Sequence, residues 1–149
     1  GAEGASPSRG RLVAIAVVVR HGARSAIHLP PGVTDVTFDC LLSDETRRAM
    51  ANSGAPLPLA DSNGRCAPGQ LVDRGYRQHL RLGGFLARAY GGSARWVSRT
   101  VRATDFERTR ASAAAFLQGF FNSPPPVSVW QPDPFRDPMY GAEGSDRRG

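Results

Sequence analysis

The sequence predicts an α/β domain in which helices flank a mainly parallel sheet, and three observations support this. A continuous run of apolar, largely β-branched residues covers 12–19, as in a strand buried on both faces. Segments with helical spacing of apolar residues cover 73–90 and 105–121. Each of these is followed by a further predicted strand, at 95–102, whose apolar residues are Trp96, Val97 and Val101, and at 127–130. Alternation of strands and helices favours parallel strands joined by right-handed crossovers.

The chain has 149 residues, which is enough for one domain and too few for two ordinary ones. We expect a flexible tail over 1–11, the α/β domain over 12–130 and an irregular segment over 131–149, which is rich in proline and glycine. Three strands leave both edges of a sheet open, so we expect further chain to complete it. The first residue is glycine and not methionine, which indicates a processed or partial chain.

Turn-forming residues separate the predicted elements. The stretch 29–69 is rich in proline, glycine, aspartate and serine and predicts a long surface loop with one short helix near 43–50. Asp73 is the expected N-cap of the first long helix, and Gly83 and Gly84 are expected to weaken that helix. Its apolar positions are Tyr76, Leu80, Leu86 and Tyr90.

The second long helix is expected to be capped by Thr104 or Asp105 and to end before the prolines at 124–126. Its predicted buried face is Phe106, Thr109, Ala113, Phe116, Leu117 and Phe120. This helix has the clearest apolar periodicity in the chain.

The charge balance is basic, with 19 cations against 13 acids and a net charge of +6. All of the cations are arginine, which either coding bias or anion binding would explain. They are scattered along the chain, so no nucleic-acid-binding tail is indicated. No apolar stretch reaches the roughly 20 residues that span a bilayer.

Cys40 and Cys66 are the two cysteines, and two interpretations of them stay open. They form a disulfide in an oxidising compartment, or they are two free buried thiols. No Cys/His cluster has the spacing of metal ligands, so the sequence predicts no metal and no cofactor.

The clearest candidate site is Arg20, His21 and Arg24, directly after the first predicted strand. Two arginines beside backbone N–H groups at a strand end would bind an anion, and Gly22 would let the backbone approach a ligand closely. The arginines would also lower the pKa of the imidazole, which leaves it a neutral nucleophile. The alternative is a set of surface arginines around a core histidine.

Arg102 follows the second predicted strand, just before a helix. If the two strands are parallel neighbours, Arg102 lies beside Arg20 and Arg24 at one sheet edge. Three arginines around one histidine suit a phosphoryl group, whose charge is spread over three oxygens.

Three segments together resemble the histidine acid phosphatases, the second branch of the histidine phosphatase superfamily. VVVRHGARS is similar to the family signature R-H-G-x-R-x-P. GQLVDRGYRQHLRLGGFLARAY is similar to the family's G-Q-L-T-x-x-G-x-x-Q helix, and VRATDFERTRASAAAFLQGFF to its R-S-T-D-x-x-R-T-x-x-S-A segment. The resemblance covers about 12–130 and implies the phosphoglycerate mutase-like fold of the histidine phosphatases, incomplete in this chain.

The resemblance implies phosphomonoester hydrolysis through a phosphohistidine on His21. Arg20, Arg24 and Arg102 would bind the phosphate, without a metal. Asp105 and Arg108 also match motif positions, and we expect structural roles for both: a capping aspartate and an arginine that anchors the helix. The substrate would be a phosphorylated small molecule or protein, and the location secreted, lysosomal or membrane-attached.

The sequence departs from the family pattern at three points. Ala26 stands where the family has proline, and Ala103 where serine is common. The His-Asp pair that completes the phosphate pocket and protonates the leaving group is absent from the sequence. The other histidines are His28 in the loop and His79, which we expect at the surface of its helix. The chain therefore resembles the N-terminal part of such an enzyme.

Two other functions stay open at this point. Without the proton donor, the arginines could hold a phosphorylated ligand without turnover, as in a pseudophosphatase. A basic protein that contacts RNA is disfavoured, because the cations are interleaved with apolar periodicity and no aromatic platform is evident. No nucleic-acid partner is therefore expected.

Overall fold

The structure is a computed structural model, which describes residues 12–34, 36–51, 53–58, 60–90 and 100–121. Several predicted elements lie outside these ranges: the N-terminal tail, most of the second strand, the third strand and the irregular C-terminal segment.

Three helices form the frame of the described structure: α1 (Asp44–Met50), α2 (Asp73–Tyr90) and α3 (Glu107–Phe121). The prediction of α2 is confirmed at both ends, α1 was predicted to within a residue, and α3 begins two residues later than expected. None of the helices in the described residues is long and apolar enough to cross a membrane.

The predicted strand over 12–19 is not formed in the described structure. Val13 and Val18 are exposed, Val18 at 92%, where the sequence predicted burial on both faces. A strand is stabilised by hydrogen bonds to its neighbours, and within the described residues no β bridge reaches 12–19. The β contacts that are described are isolated antiparallel bridges, so the parallel sheet stays a prediction.

Helices α2 and α3 cross closely because glycines line their contact. A Cβ built on Gly83 would overlap the Phe116 carbonyl oxygen, and one on Gly119 would overlap the Leu80 carbonyl oxygen. Gly83 therefore does more than weaken α2, since its missing side chain lets the two backbones approach. By contrast, a Cβ on Gly84 would make only ordinary contacts.

The core lies where the three helices meet. One cluster joins α1, the segment before α2, α2 and α3, and consists of Leu42, Met50, Leu71, Tyr76, Ala111 and Ala115. A second, at the C-terminal end of α3, consists of Leu117, Phe120 and Phe121. The predicted buried face of α3 is thus wrong in part: Phe106, Thr109, Ala113 and Phe116 are half-buried, whereas Ala111, Ser112 and Ala115 are buried.

The predicted helix caps are also corrected. Asp73 is the first residue of α2 and not its N-cap. Its carboxylate accepts from the backbone N–H and hydroxyl of Ser43, at 3.0 and 2.9 Å, and pairs with Arg77 at 2.7 Å. Asp73 thereby ties the start of α2 to Ser43, which caps α1. Neither Thr104 nor Asp105 directly precedes α3, which begins at Glu107.

A disulfide between Cys40 and Cys66 closes the long loop between the signature segment and α2. Backbone hydrogen bonds flank it, from Cys40 to Gly64 at 3.1 Å and from Cys66 to Phe38 at 2.8 Å. The described part of this irregular loop is thus held by a covalent link as well as by packing.

Candidate functional site

The segment 20–25, which we name the signature loop, packs directly on the first turn of α2. A Cβ built on Gly22 would come within 2.6 Å of the Gly75 carbonyl oxygen and 2.7 Å of its Cα. A Cβ on Gly75 would in turn overlap the Ala23 carbonyl oxygen. Glycine is therefore required at both positions. The contact brings the R-H-G-A-R segment against the first turn of α2.

Side chains from both long helices hold consecutive backbone N–H groups of the signature loop. The Gly22 N–H donates to the Ser112 hydroxyl of α3 at 3.1 Å, and the Ala23 N–H donates to Gln78 Oε1 of α2 at 2.9 Å. These two N–H groups are therefore not free to bind an anion. The anion site expected from the sequence named no particular N–H group and stays a prediction, and these two are already satisfied by helix side chains.

The far end of the signature loop is bonded to the segment before α2. The Ser25 N–H donates to Gln70 O at 2.9 Å, and the Val72 N–H donates to Ala23 O at 3.1 Å. The buried Ser25 hydroxyl donates to Ala67 O at 2.7 Å and accepts from the Gln70 N–H at 2.9 Å. Sequence reasoning missed Ser25, although a serine after R-H-G-A-R was a visible signal.

His21 has a defined ring orientation. Its Nδ1 lies 2.9 Å from the Gly22 carbonyl oxygen. A carbonyl can only accept, so we assign the proton of the neutral ring to Nδ1, which leaves the lone pair on Nε2. The pKa of His21 lies below its ordinary value of 6.5, chiefly because of partial burial. The hydrogen bond to the Gly22 carbonyl acts in the opposite direction, and the charges of nearby arginines lower the pKa further.

The arginine charges that act on His21 come, in decreasing order, from Arg108, Arg20 and Arg24. Among the described residues neither Arg20 nor Arg24 has a carboxylate partner. Arg24 Nη1 donates to the Ser25 carbonyl at 2.8 Å, and its buried Nε has no hydrogen-bond partner in the described part of the chain. The site thus has uncompensated positive charge and an unused guanidinium donor, which an anionic oxygen would satisfy.

The structural role expected of Arg108 stays a prediction, and its charge is one of those that lower the pKa of His21. Its guanidinium stacks over the Phe106 ring, 4.1 Å from the centroid. Arg102, by contrast, is exposed and is not among the charges that act on His21. Its position beside Arg20 and Arg24 stays a prediction, because it depended on two parallel strands.

His79 is buried, with 4% of its surface exposed, which corrects the expectation that it lies on the surface. Burial and the neighbouring His21 lower its pKa, while a hydrogen bond to the Arg20 backbone acts in the opposite direction. The arginines near His79 in the sequence led to the prediction of a surface position. In the structure, His79 lies on the buried face of α2 with Gly75, Tyr76 and Gly83. The described residues contain no group of three or more His, Cys, Asp or Glu able to hold a metal.

Comparison with known proteins identifies the family. The histidine phosphatase superfamily (branch 2) matches residues 11–137. The chain is 30% identical over 145 residues to 2-phosphoxylose phosphatase 1 of Danio rerio, which covers 80% of this chain and 29% of that protein. It is 33% identical over 132 residues to testicular acid phosphatase of Mus musculus, covering 84% of the chain and 26% of the relative. No solved structure matches.

Prostatic acid phosphatase of Mus musculus is also similar, at 33% identity over 112 residues, 70% of this chain and 28% of that protein. The chain therefore belongs to branch 2 of the histidine phosphatase superfamily. It spans less than a third of the length of these curated relatives.

Proposed function

We propose that the protein is a phosphomonoesterase that forms a phosphohistidine on His21. The observation that carries this proposal is the hydrogen bond between His21 Nδ1 and the Gly22 carbonyl, at 2.9 Å. It directs the lone pair of Nε2 away from the signature loop backbone, as a nucleophile requires. The pKa of His21 is lowered, chiefly by partial burial, and this favours the neutral ring.

The reaction takes place in two displacements. Nε2 attacks phosphorus, an N–P bond forms, and the ester P–O bond breaks with its electron pair on the leaving oxygen. Water then attacks the phosphohistidine, which releases inorganic phosphate and restores the neutral ring. The net reaction consumes one water and yields an alcohol or phenol.

Guanidinium groups would supply the stabilising charge. Arg20 and Arg24 flank His21 in the signature loop and have no carboxylate partner within the described structure. Phosphoryl transfer is catalysed mainly by positioning and by positive charge on the equatorial oxygens, for which the planar arginine fork is suited. Arg102 joins this set in the proposed parallel α/β sheet of the family fold.

The leaving oxygen needs a proton when the product is an alkyl alcohol, and a proton donor contributes about 10²–10⁴-fold to a rate. The sequence contains no His-Asp pair to provide this donor. We therefore propose that this chain supplies the nucleophilic half of the site. An aryl phosphate, whose leaving group is stable as an anion, depends least on the missing group.

The relatives suggest the substrate class and the compartment. They are a phosphoxylose phosphatase and acid phosphatases, so we propose a phosphate monoester on a sugar, another small molecule or a protein as substrate. The Cys40–Cys66 disulfide is consistent with an extracytoplasmic location in the secretory pathway, because disulfides persist in oxidising compartments.

Hydrolysis of p-nitrophenyl phosphate at mildly acid pH tests this function. His21→Ala should abolish turnover, and His28→Ala, which removes an exposed histidine from the following loop, should not. Turnover that persists in His21→Ala would contradict the proposal. Tight vanadate binding without turnover would instead favour the second candidate, a phosphate-binding pseudophosphatase, which the missing His-Asp pair motivates.

A further inference from the structure

The signature loop holds His21 through two consecutive peptide units, each of which is bonded to a different helix. The first unit joins His21 to Gly22, and its N–H donates to Ser112 Oγ at 3.1 Å. The second joins Gly22 to Ala23, and its N–H donates to Gln78 Oε1 at 2.9 Å.

The second peptide unit connects Gln78 to the nucleophile. A peptide unit is planar, so the Ala23 N–H and the Gly22 C=O rotate together. That same carbonyl is the partner of His21 Nδ1, at 2.9 Å. Any rotation that breaks the bond to Gln78 therefore also displaces the oxygen that fixes the tautomer of the ring.

Ser112 is a rigid partner for the first unit. Its hydroxyl donates to the Arg108 carbonyl at 2.7 Å, so its lone pair is directed to the Gly22 N–H. The residue is buried, at 2% exposure, on the face of α3 turned toward the loop. Gln78, by contrast, is exposed on α2, so replacing it does not disturb the core.

We propose that Ser112 and Gln78 are positioning residues that fix the two peptide units after His21, so that the ring keeps one tautomer and one orientation. This inference rests on the proposed function, in which Nε2 of His21 is the nucleophile. Neither residue contacts the phosphate in this proposal. Their removal should therefore lower kcat and leave KM nearly unchanged.

Kinetics with p-nitrophenyl phosphate test this in the protein expressed from its complete reading frame. We expect Gln78→Ala and Ser112→Ala each to reduce kcat about 10- to 100-fold, since small misplacement of a reacting group costs this much. The double variant should have nearly the same kcat as either single variant, because both hydrogen bonds hold the same short segment after His21. Gln78→Glu keeps an acceptor for the Ala23 N–H and should restore kcat, while its charge raises KM.

Two control variants separate positioning from general stability. Thr46→Val removes the side-chain hydrogen bond of a fully buried residue of α1, and Tyr76→Phe removes only the bond from the buried Tyr76 hydroxyl to the Pro56 carbonyl. Both should lower Tm and leave kcat unchanged. An unchanged kcat in Gln78→Ala, or an equal loss of kcat in the controls, would overturn the proposal.

A spectroscopic measurement distinguishes this proposal from the proposed function. The ¹⁵N shifts of the His21 ring should report a single tautomer with the proton on Nδ1, and Gln78→Ala should produce a mixture of the two tautomers. If the wild-type protein hydrolyses nothing, the proposed function fails and the ring shifts alone decide the positioning roles. A ring signal unaffected by both substitutions would refute these roles whether or not the enzyme turns over.

Discussion

Gly22 and Gly75 are in backbone contact, and no side chain fits between the signature loop and α2 at this point. A methyl group on Gly22 would lie 2.6 Å from the Gly75 carbonyl oxygen, so the loop or the helix would have to move. The contact places His21, one residue before Gly22, against the start of α2.

Gly22→Ala should therefore separate the signature loop from α2. Overpacking at a tight contact costs about 1–3 kcal/mol, so we expect a loss of unfolding free energy in this range together with loss of phosphatase activity. Chemical denaturation and p-nitrophenyl phosphate assays measure the two effects. Wild-type stability and activity in this variant would show that the contact is absent in solution.

The crossing of α2 and α3 provides a second test with a matched pair of glycines. Gly83→Ala should lower the free energy of unfolding by more than about 1 kcal/mol, as overpacking typically does. The reason is that its Cβ would overlap the Phe116 carbonyl oxygen. Gly84→Ala, one residue along, should be neutral or stabilise by about 0.5–1 kcal/mol through helix propensity. Denaturant unfolding of both variants measures the difference, and equal effects would contradict the close crossing.

The positions of the helices could be predicted from the sequence, whereas the state of the 12–19 segment and parts of the site could not. The bounds of α2 match the predicted range 73–90, which rests on apolar spacing and other local signals. The apolar run 12–19 predicts burial only if other strands pair with it, and that information is not local. Ser112 and Gln78 were in the recognised motifs, but only the folded structure shows which backbone groups they bind.

The arginines differ in their expected contributions to anion binding. Arg24→Ala should weaken vanadate binding about 10- to 100-fold, because a hydrogen bond to a charged group contributes roughly 1.5–3 kcal/mol. Arg108→Ala should weaken it as well, since this guanidinium acts on His21. Arg48→Ala, an exposed arginine on α1, is the control for loss of one charge.

Arg102→Ala is the corresponding test of the family resemblance. If the parallel sheet brings Arg102 to the phosphate, vanadate affinity should fall as much as in Arg24→Ala. Calorimetric titration measures both affinities under the same conditions. An unchanged affinity would place Arg102 outside the pocket.

His79, which is buried, and His21, which is half-buried, predict a dependence of stability on pH. Both His21 and His79 have a pKa below the ordinary value of 6.5, mainly because of burial. As pH falls through that value the unfolded chain takes up protons before the folded one, so the free energy of unfolding should decline. His79→Gln should make this decline shallower between about pH 7 and 5. An identical slope in wild type and variant would show that His79 is not buried as a neutral ring.

The disulfide predicts a measurable loss of stability on reduction. Cys40 and Cys66 are separated by 26 positions, and opening a loop of that size costs roughly 3 kcal/mol in the chain-entropy account. The Cys40→Ser/Cys66→Ser double variant should lose this amount, and dithiothreitol should lower the Tm of the wild type alone. Peptide mapping without reduction should recover the two cysteine peptides linked, and free thiols at both positions would contradict the bond.

The most direct test of the central claim is to trap the phosphorylated intermediate. The enzyme is mixed with radiolabelled p-nitrophenyl phosphate, quenched in base because an N–P bond is labile in acid, and digested for peptide mapping. The account predicts one labelled peptide, with the phosphoryl group on His21 and no label in His21→Ala. Turnover without label on His21, or label on another residue, would contradict a phosphohistidine mechanism at this site.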